Sequence, residues 1–180
     1  QLIDETRRGY DVRAIAVAAP GFLDPDKGIV YEAPNIPGWV DLPLKKILED
    51  KFAIPVYLGN DANMGALGEW KFGAGIGHHN LLYLTISTGI GSGAVINDQL
   101  LLGNKGLAGE FGHVTVLPDG PMCGCGKRGH IEALSSGTGI LNYLKQQIKN
   151  GRHSSLTSLD KITGKDITQA AISGDQLAIE

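Results

Sequence analysis

Between positions 113 and 130 the chain sets two imidazoles and two thiols, His113, Cys123, Cys125 and His130, at separations of ten, two and five residues. Zinc takes four N or S ligands in a tetrahedron, and four protein ligands leave no open coordination position, so the set points to a structural ion rather than a catalytic one. Gly120, Gly124, Gly126 and Gly129 fall at the bends such a loop needs. Glu110 and Glu132 bracket the set, each within three residues of a histidine. A folded metal loop would hold both carboxylates in place as pocket groups. The plainer reading is a pair of reduced cysteines in a loop with two unrelated histidines and two surface acids. It requires four compatible ligands to gather within a short stretch without a purpose.

Asn60-Asp61-Ala62-Asn63 is a second polar constellation, at the point where an apolar strand hands over to a helix. A carboxylate held at such a junction can accept a proton from a substrate hydroxyl, which makes Asp61 a candidate general base. Asp or Asn there also serves as an ordinary helix cap, and three polar side chains allow both roles at once. The third constellation is Thr85-Ile-Ser-Thr88-Gly89-Ile-Gly91-Ser-Gly93. Its glycines would let backbone N–H groups crowd an anion such as a phosphate while hydroxyls add donors. A ligand-free glycine-rich turn fits the same residues.

The elements that must position these groups read as alternating helix and strand. Residues 1–9 resemble the end of an amphipathic helix, and 12–19 form an apolar run read as a buried strand ending at Pro20-Gly21. Turn residues at 24–26 and 37–38 flank a short strand at Ile29-Val30, with Asn35 in the loop between them. A helix is expected over 42–52, a strand over 54–58 delivering the chain to Asn60-Asp61, and a helix over 62–72. Gly73-Ala-Gly-Ile-Gly77 reads as a hinge, with 1–72 belonging to a first lobe and 78–180 to a second. Strands are expected over 81–86, 93–96 and 99–102, with Asn97-Asp98 as a hairpin turn, and again over 113–117. Helices are expected over 132–147 and 167–172, and the last six residues read as the start of another.

At 42% hydrophobic, the 180 residues are enough to bury a core. Sixteen basic against nineteen acidic residues give a net charge of −3 with no basic run, which argues against direct nucleic-acid contact from this segment. No apolar stretch approaches the ~18 residues that suggest a membrane helix, and no secretion signal opens the chain. Two cysteines this close make a poor disulfide and suit a reducing compartment, so a cytoplasmic setting is expected.

At these residues the sequence resembles the ROK family (repressor, open reading frame, kinase) of actin-like sugar kinases. The resemblance is carried by Pro20-Gly21, Asn35-Ile-Pro-Gly-Trp39, Gly59-Asn60-Asp61-Ala62-Asn63-Met-Gly-Ala-Leu-Gly68-Glu69, Ser87-Thr-Gly-Ile-Gly91, Gly106-Leu-Ala-Gly-Glu110-Phe-Gly-His113 and Cys123-Gly-Cys125-Gly126. It implies an α/β, actin-like (ribonuclease H-like) two-lobed fold, incomplete at both ends. It implies Asp61 as the base that activates a sugar hydroxyl for attack on the ATP γ-phosphate. Sugar contacts are implied for Asn35, Asn60, Asp61, Glu110, His113 and Glu132, phosphate contacts for Thr88, Gly89 and Gly91, and zinc for His113, Cys123, Cys125 and His130. His130 stands where the family usually has a third cysteine; zinc accepts either set. The family's opening phosphate loop, with its magnesium-binding Asp, and its closing adenosine segment have no counterpart here, so ATP and magnesium are expected in the full-length protein and the segment alone is expected to be inactive. The alternative within the family is a sugar-sensing repressor whose DNA-binding part lies outside this segment. A third reading is a stand-alone sugar-binding or dimerising module, and a homo-oligomer is expected.

Overall fold

The computed structural model describes residues 2–33 and 36–180. They form two compact units. The first comprises residues 1–84 with 92–109, the second 85–91 with 110–180.

The first unit begins with α1 (Leu2–Arg7), β1 (Ile15–Ala19), a three-strand antiparallel sheet of β2 (Phe22–Asp24), β3 (Ile29–Glu32) and β4 (Val40–Leu42), and α2 (Leu44–Phe52). Next come β5 (Val56–Asn60) and α3 (Asp61–Phe72). β1 and β5 pair in parallel, with Ile15 opposite Val56 and Ala19 opposite Asn60. A parallel pair needs a long crossover, and β2 to β4 with α2 supply it. Ala19, Leu23, Val30, Ala33 and Leu58 are buried where this crossover packs on the pair. The α2 helix closes on Ala53 in the left-handed region (φ 53), its N–H bonded to the Glu49 carbonyl.

β6 (Leu81–Ile86), β7 (Ile90–Ile96) and β8 (Gln99–Leu100) form a further sheet in that order. Asn97 (φ 49) and Asp98 (φ 64) make the hairpin turn expected from the sequence, a tight turn that needs positive φ at both positions. Helix α3 lies against β7 at Gly93, where a Cβ would come within 2.8 Å of the Ala62 carbonyl oxygen and the Ala66 Cβ. The glycine-rich segment 73–77, expected as a hinge, lies within the first unit.

The second unit adds α4 (Ile131–Ser135), α5 (Gly137–Lys149), α6 (Gly164–Ile172) and α7 (Gln176–Ile179). Leu144, Leu156, Ile162, Ile167, Ala170 and Leu177 make its apolar core. The Asp175 carboxylate caps α7 through the N–H groups of Leu177 and Ala178 and accepts from the hydroxyls of Ser154 and Ser155 and from the Ser155 N–H. Among the described residues, no helix is long and apolar enough to cross a membrane.

Local expectations differ from the structure at several points. Residues 113–117 form no strand; a 3-10 turn covers Phe111–His113, and a single bridge joins Thr115 to His130. Val114, Val116 and Leu117 are each about half exposed, so the apolar run marks no buried sheet. The helix expected over 132–147 is two helices, because Ser136 takes an extended backbone (φ −75, ψ 165) and its side chain caps α5 by accepting from the Gly139 N–H. The strand expected over 12–19 starts only at Ile15. The strands β2 and β4 went unread because three residues beside turn signals carry too little periodicity.

Candidate functional site

In the first unit, the chemistry sits where β5 becomes α3. Asn60 is the cap: its Oδ1 accepts from the N–H groups of Ala62 (3.0 Å) and Asn63 (3.2 Å), and its Nδ2 donates to the Gly21 carbonyl (3.4 Å). That leaves one amide hydrogen for a ligand. Asp61 is exposed, with Oδ1 accepting from the Ala62 N–H at 2.9 Å. Its Oδ2 makes no hydrogen bond among the described residues. Asn60 carries the cap, Asp61 Oδ1 shares the Ala62 N–H with it, and Asp61 Oδ2 is the oxygen left without a partner among the described residues. Asn35 lies outside the described residues.

In the second unit, the His/Cys residues do converge. The ligand atoms of His113, Cys123, Cys125 and His130 all lie within 4.8 Å of one another. His113 Nδ1 is 3.2 Å from His130 Nδ1 and 3.7 Å from Cys123 Sγ, and Cys125 Sγ is 3.3 Å from His130 Nδ1. Bonds of about 2.0–2.3 Å to a tetrahedral zinc imply ligand–ligand edges of roughly 3.3–3.8 Å. The three spacings fit such an ion within a few tenths of an ångström. Local backbone chemistry builds the cage. The Cys123 N–H bonds the Lys127 carbonyl and the Gly126 N–H the Cys123 carbonyl, closing a tight loop around the two thiols. Gly129 sits at φ +70 with its carbonyl accepting from both Val116 and Leu117 N–H, and a Cβ there would collide with the Leu117 carbonyl. Only glycine fits that position, and it delivers His130 to the cage. Burial, with smaller contributions from Cys125 and Glu132, holds the Cys123 thiol above its usual range; binding an ion would require it to release its proton.

With Nδ1 of His113 on the cage side, its Nε2 lies 3.9 Å from Glu110 Oε2. One ring thus faces the cage with one nitrogen and an exposed carboxylate with the other. Glu132 is half-buried at the start of α4, with Cys123 Sγ 3.6 Å from its Oε1. Its Oε2 accepts from the backbone N–H of Ile90 at 2.8 Å.

That bond reaches the glycine-rich turn Ser87–Gly91. The Ser87 carbonyl accepts from the Gly137 N–H (2.8 Å), the Thr88 carbonyl from the Thr138 N–H (3.3 Å), and the Gly89 carbonyl from the Ser87 N–H (2.9 Å). The N–H groups of Thr88 and Gly89 make no hydrogen bond among the described residues. The structure therefore brings Glu110, His113, Cys123, Cys125, His130, Glu132 and the Thr88–Gly91 turn into one unit, and places Asn60 and Asp61 side by side in the other. Sequence reading missed Gly137 and Thr138, whose main-chain N–H groups secure the turn, and Ser136, which caps the helix that carries them. The cluster Ser135-Ser-Gly-Thr-Gly139, unfavourable inside a helix, was the available signal.

A sequence model of the ROK family matches residues 1–180. The chain belongs to the ROK family. A glucokinase of Halalkalibacterium halodurans is 44% identical over 174 residues, covering 94% of this ROK chain and 52% of its relative. The crystal structure of a ROK family glucokinase from Streptomyces griseus in complex with glucose and AMPPNP superposes with a TM-score of 0.79 at 40% identity, covering 98% of this chain and 59% of that one. A xylose repressor of Caldicellulosiruptor bescii is 37% identical over 169 residues, covering 92% of this chain and 42% of that protein. The chain spans about half the length of the relatives it matches. Its fold is the α/β, actin-like fold of the ROK sugar kinases.

Proposed function

We propose that this chain is a segment of an ATP-dependent, glucokinase-like hexose kinase. The observation that carries the reading is the Asp61 carboxylate, exposed at a strand-to-helix junction while Asn60 does the capping. A sensor needs groups that bind a sugar; it has no use for a base. In the reaction, Asp61 takes the proton of the attacking sugar hydroxyl as its oxygen bonds the γ-phosphorus and ADP leaves. Asn60, Glu110, His113 and Glu132 engage the other hydroxyls, with Asn35 carried by the resemblance alone. The main chain at Thr88, Gly89 and Gly91 supplies donors to phosphate oxygens. ATP and magnesium are partners of the full-length protein. His113, Cys123, Cys125 and His130 would hold a structural zinc, which would fix the orientation of His113 and leave its Nε2 for the sugar. A cytoplasmic homo-oligomer is the setting that agrees with this chemistry, with 1–72 and 78–180 drawn from the two lobes of the parent fold.

The second reading, a sugar-responsive repressor, is favoured by the resemblance to the xylose repressor. Turnover separates the two. The full-length protein should phosphorylate at least one member of a hexose panel with ATP, and Asp61→Asn should abolish turnover while leaving sugar affinity nearly unchanged. Sugar binding without turnover in the wild type would establish the repressor reading, and wild-type-like turnover by D61N would remove Asp61 from the role of base.

A further inference from the structure

We infer that Glu132 is a positioning residue for the phosphate-binding turn as well as a hexose ligand, one carboxylate tying the two substrates together; the inference rests on the kinase reading above. The geometry starts from peptide planarity. In a trans peptide the C=O and the following N–H point in opposite directions. The Ser87 and Thr88 carbonyls are bonded to the N–H groups of Gly137 and Thr138 at the start of α5. The N–H groups of Thr88 and Gly89 must therefore face away from α5, side by side and without partners among the described residues, the arrangement in which consecutive amides cradle an anion. Helix α5 spends its own terminal donors on this, with Ser136 satisfying Gly139, so the helix orients the cradle and is not itself the cradle.

The next peptide needs a different anchor. The Ile90 N–H, in a residue only 8% exposed, donates to Glu132 Oε2 at 2.8 Å. Glycines stand on both sides of this approach, and at Gly112 the backbone contact demands one. A Cβ at Gly89 would stand 2.5 Å from that same Oε2, and one at Gly112 would collide with the Ile90 carbonyl oxygen. Oε2 is therefore committed to the turn, and Oε1, on the Cys123 side, is the oxygen left for a sugar hydroxyl. Losing the carboxylate would leave the Ile90 peptide held at one end only, by the Ser87 N–H on the Gly89 carbonyl, and would loosen the alignment of the Gly89 amide.

The test compares wild type, E132A and E132Q in the full-length protein, by amide hydrogen exchange and by steady-state kinetics. A carboxamide oxygen can still accept from Ile90, but its other atom is a donor and cannot replace a hydroxyl acceptor. E132A should lose protection at Ile90 while Ile140, inside α5, keeps it, and should raise KM for both ATP and hexose, the former roughly tenfold as for a lost charge-assisted hydrogen bond. E132Q should restore Ile90 protection and the KM for ATP to within about twofold while the hexose KM stays high. A purely structural role would move both KM values together in E132Q, and that result overturns the proposal, as does unchanged Ile90 protection in E132A. If E132A does not fold, the split in E132Q decides. If the wild type turns over no hexose, the kinase reading fails, and Ile90 exchange alone still supports or overturns the anchor.

Discussion

Helix α3, which begins at Asp61, contains two interior glycines three positions apart with opposite surroundings. At Gly68 a Cβ would meet nothing within 4 Å. At Gly65 it would lie 2.7 Å from Cε1 and 2.8 Å from Cζ of Tyr83, whose ring packs inward from β6. Neither glycine has a positive φ, so alanine is acceptable to the backbone at both. Alanine is favoured over glycine inside a helix by about 0.8–1 kcal/mol. Gly68→Ala should therefore stabilise the chain by roughly that amount. Gly65→Ala gains the same helix term but must push a ring that is already packed, an overpacking penalty of about 1–3 kcal/mol; the net is a loss of roughly 1 kcal/mol. The variants should differ by about 2 kcal/mol. For a chain of this length that is a separation of about 4–8 °C in melting midpoint, with G68A above wild type and G65A below. Differential scanning calorimetry on the purified proteins reads both. A G65A midpoint equal to or above that of G68A would refute the packing assigned to Tyr83.

Three further outcomes are expected. Chelation of the metal should lower the thermal midpoint by several degrees, since an ion present at 100 times its Kd contributes about 2.7 kcal/mol; equal midpoints with and without chelator would remove the cage from the structural role. Replacing Asn60 with alanine should cost about 1 kcal/mol in chemical denaturation, and Asn60→Asp much less, because the cap bonds to Ala62 and Asn63 survive; equal losses would show that the Gly21 contact, not the cap, is what matters. The Ser155 and Ser154 hydroxyls and the backbone N–H donors hold the Asp175 carboxyl far below its ordinary range. A depressed folded pKa stabilises above the unfolded value near 3.9 and the benefit fades as pH falls below it. The midpoint gap between wild type and Asp175→Asn should thus be constant near neutrality and shrink below about pH 4; a gap unchanged down to pH 2 would contradict it.

The parts of the site legible in the sequence are those whose chemistry is local. His113, Cys123, Cys125 and His130 lie in one loop with glycines at its bends, so spacing alone proposed a cage that the fold assembles. Asn60 and Asp61 follow a strand with an obvious period, and the only question left was which of the two capped the helix. The anchoring of the Ser87–Gly91 turn was illegible for the opposite reason. Its partners are the main-chain N–H groups of Gly137 and Thr138, which carry no side-chain signature and lie some 50 residues away in the chain, and the Glu132 carboxylate, whose bond to the Ile90 N–H no spacing announces. The α4–α5 break shows the same limit. Residues 132–147 have a helical apolar pattern throughout, and only the Ser136 side chain, by competing for the backbone, divides them. The exposed Val114-Thr-Val116-Leu117 run misled because β-branched apolar residues signal strand whether or not a sheet is there to receive them.

The division of the chain into residues 1–84 with 92–109 and 85–91 with 110–180 bears on how the protein can be dissected genetically. Each unit is interrupted in sequence by part of the other, so no single cut yields either one free of residues from the other. A product ending anywhere between 85 and 108 carries an incomplete first unit and at most seven residues of the second. Expression of isolated lobes would require grafting the 92–109 segment onto residue 84 by a designed linker. Nonsense and frameshift alleles upstream of 109 damage both units at once and those beyond it damage only the second, so no chain-ending lesion disables the first unit and spares the second.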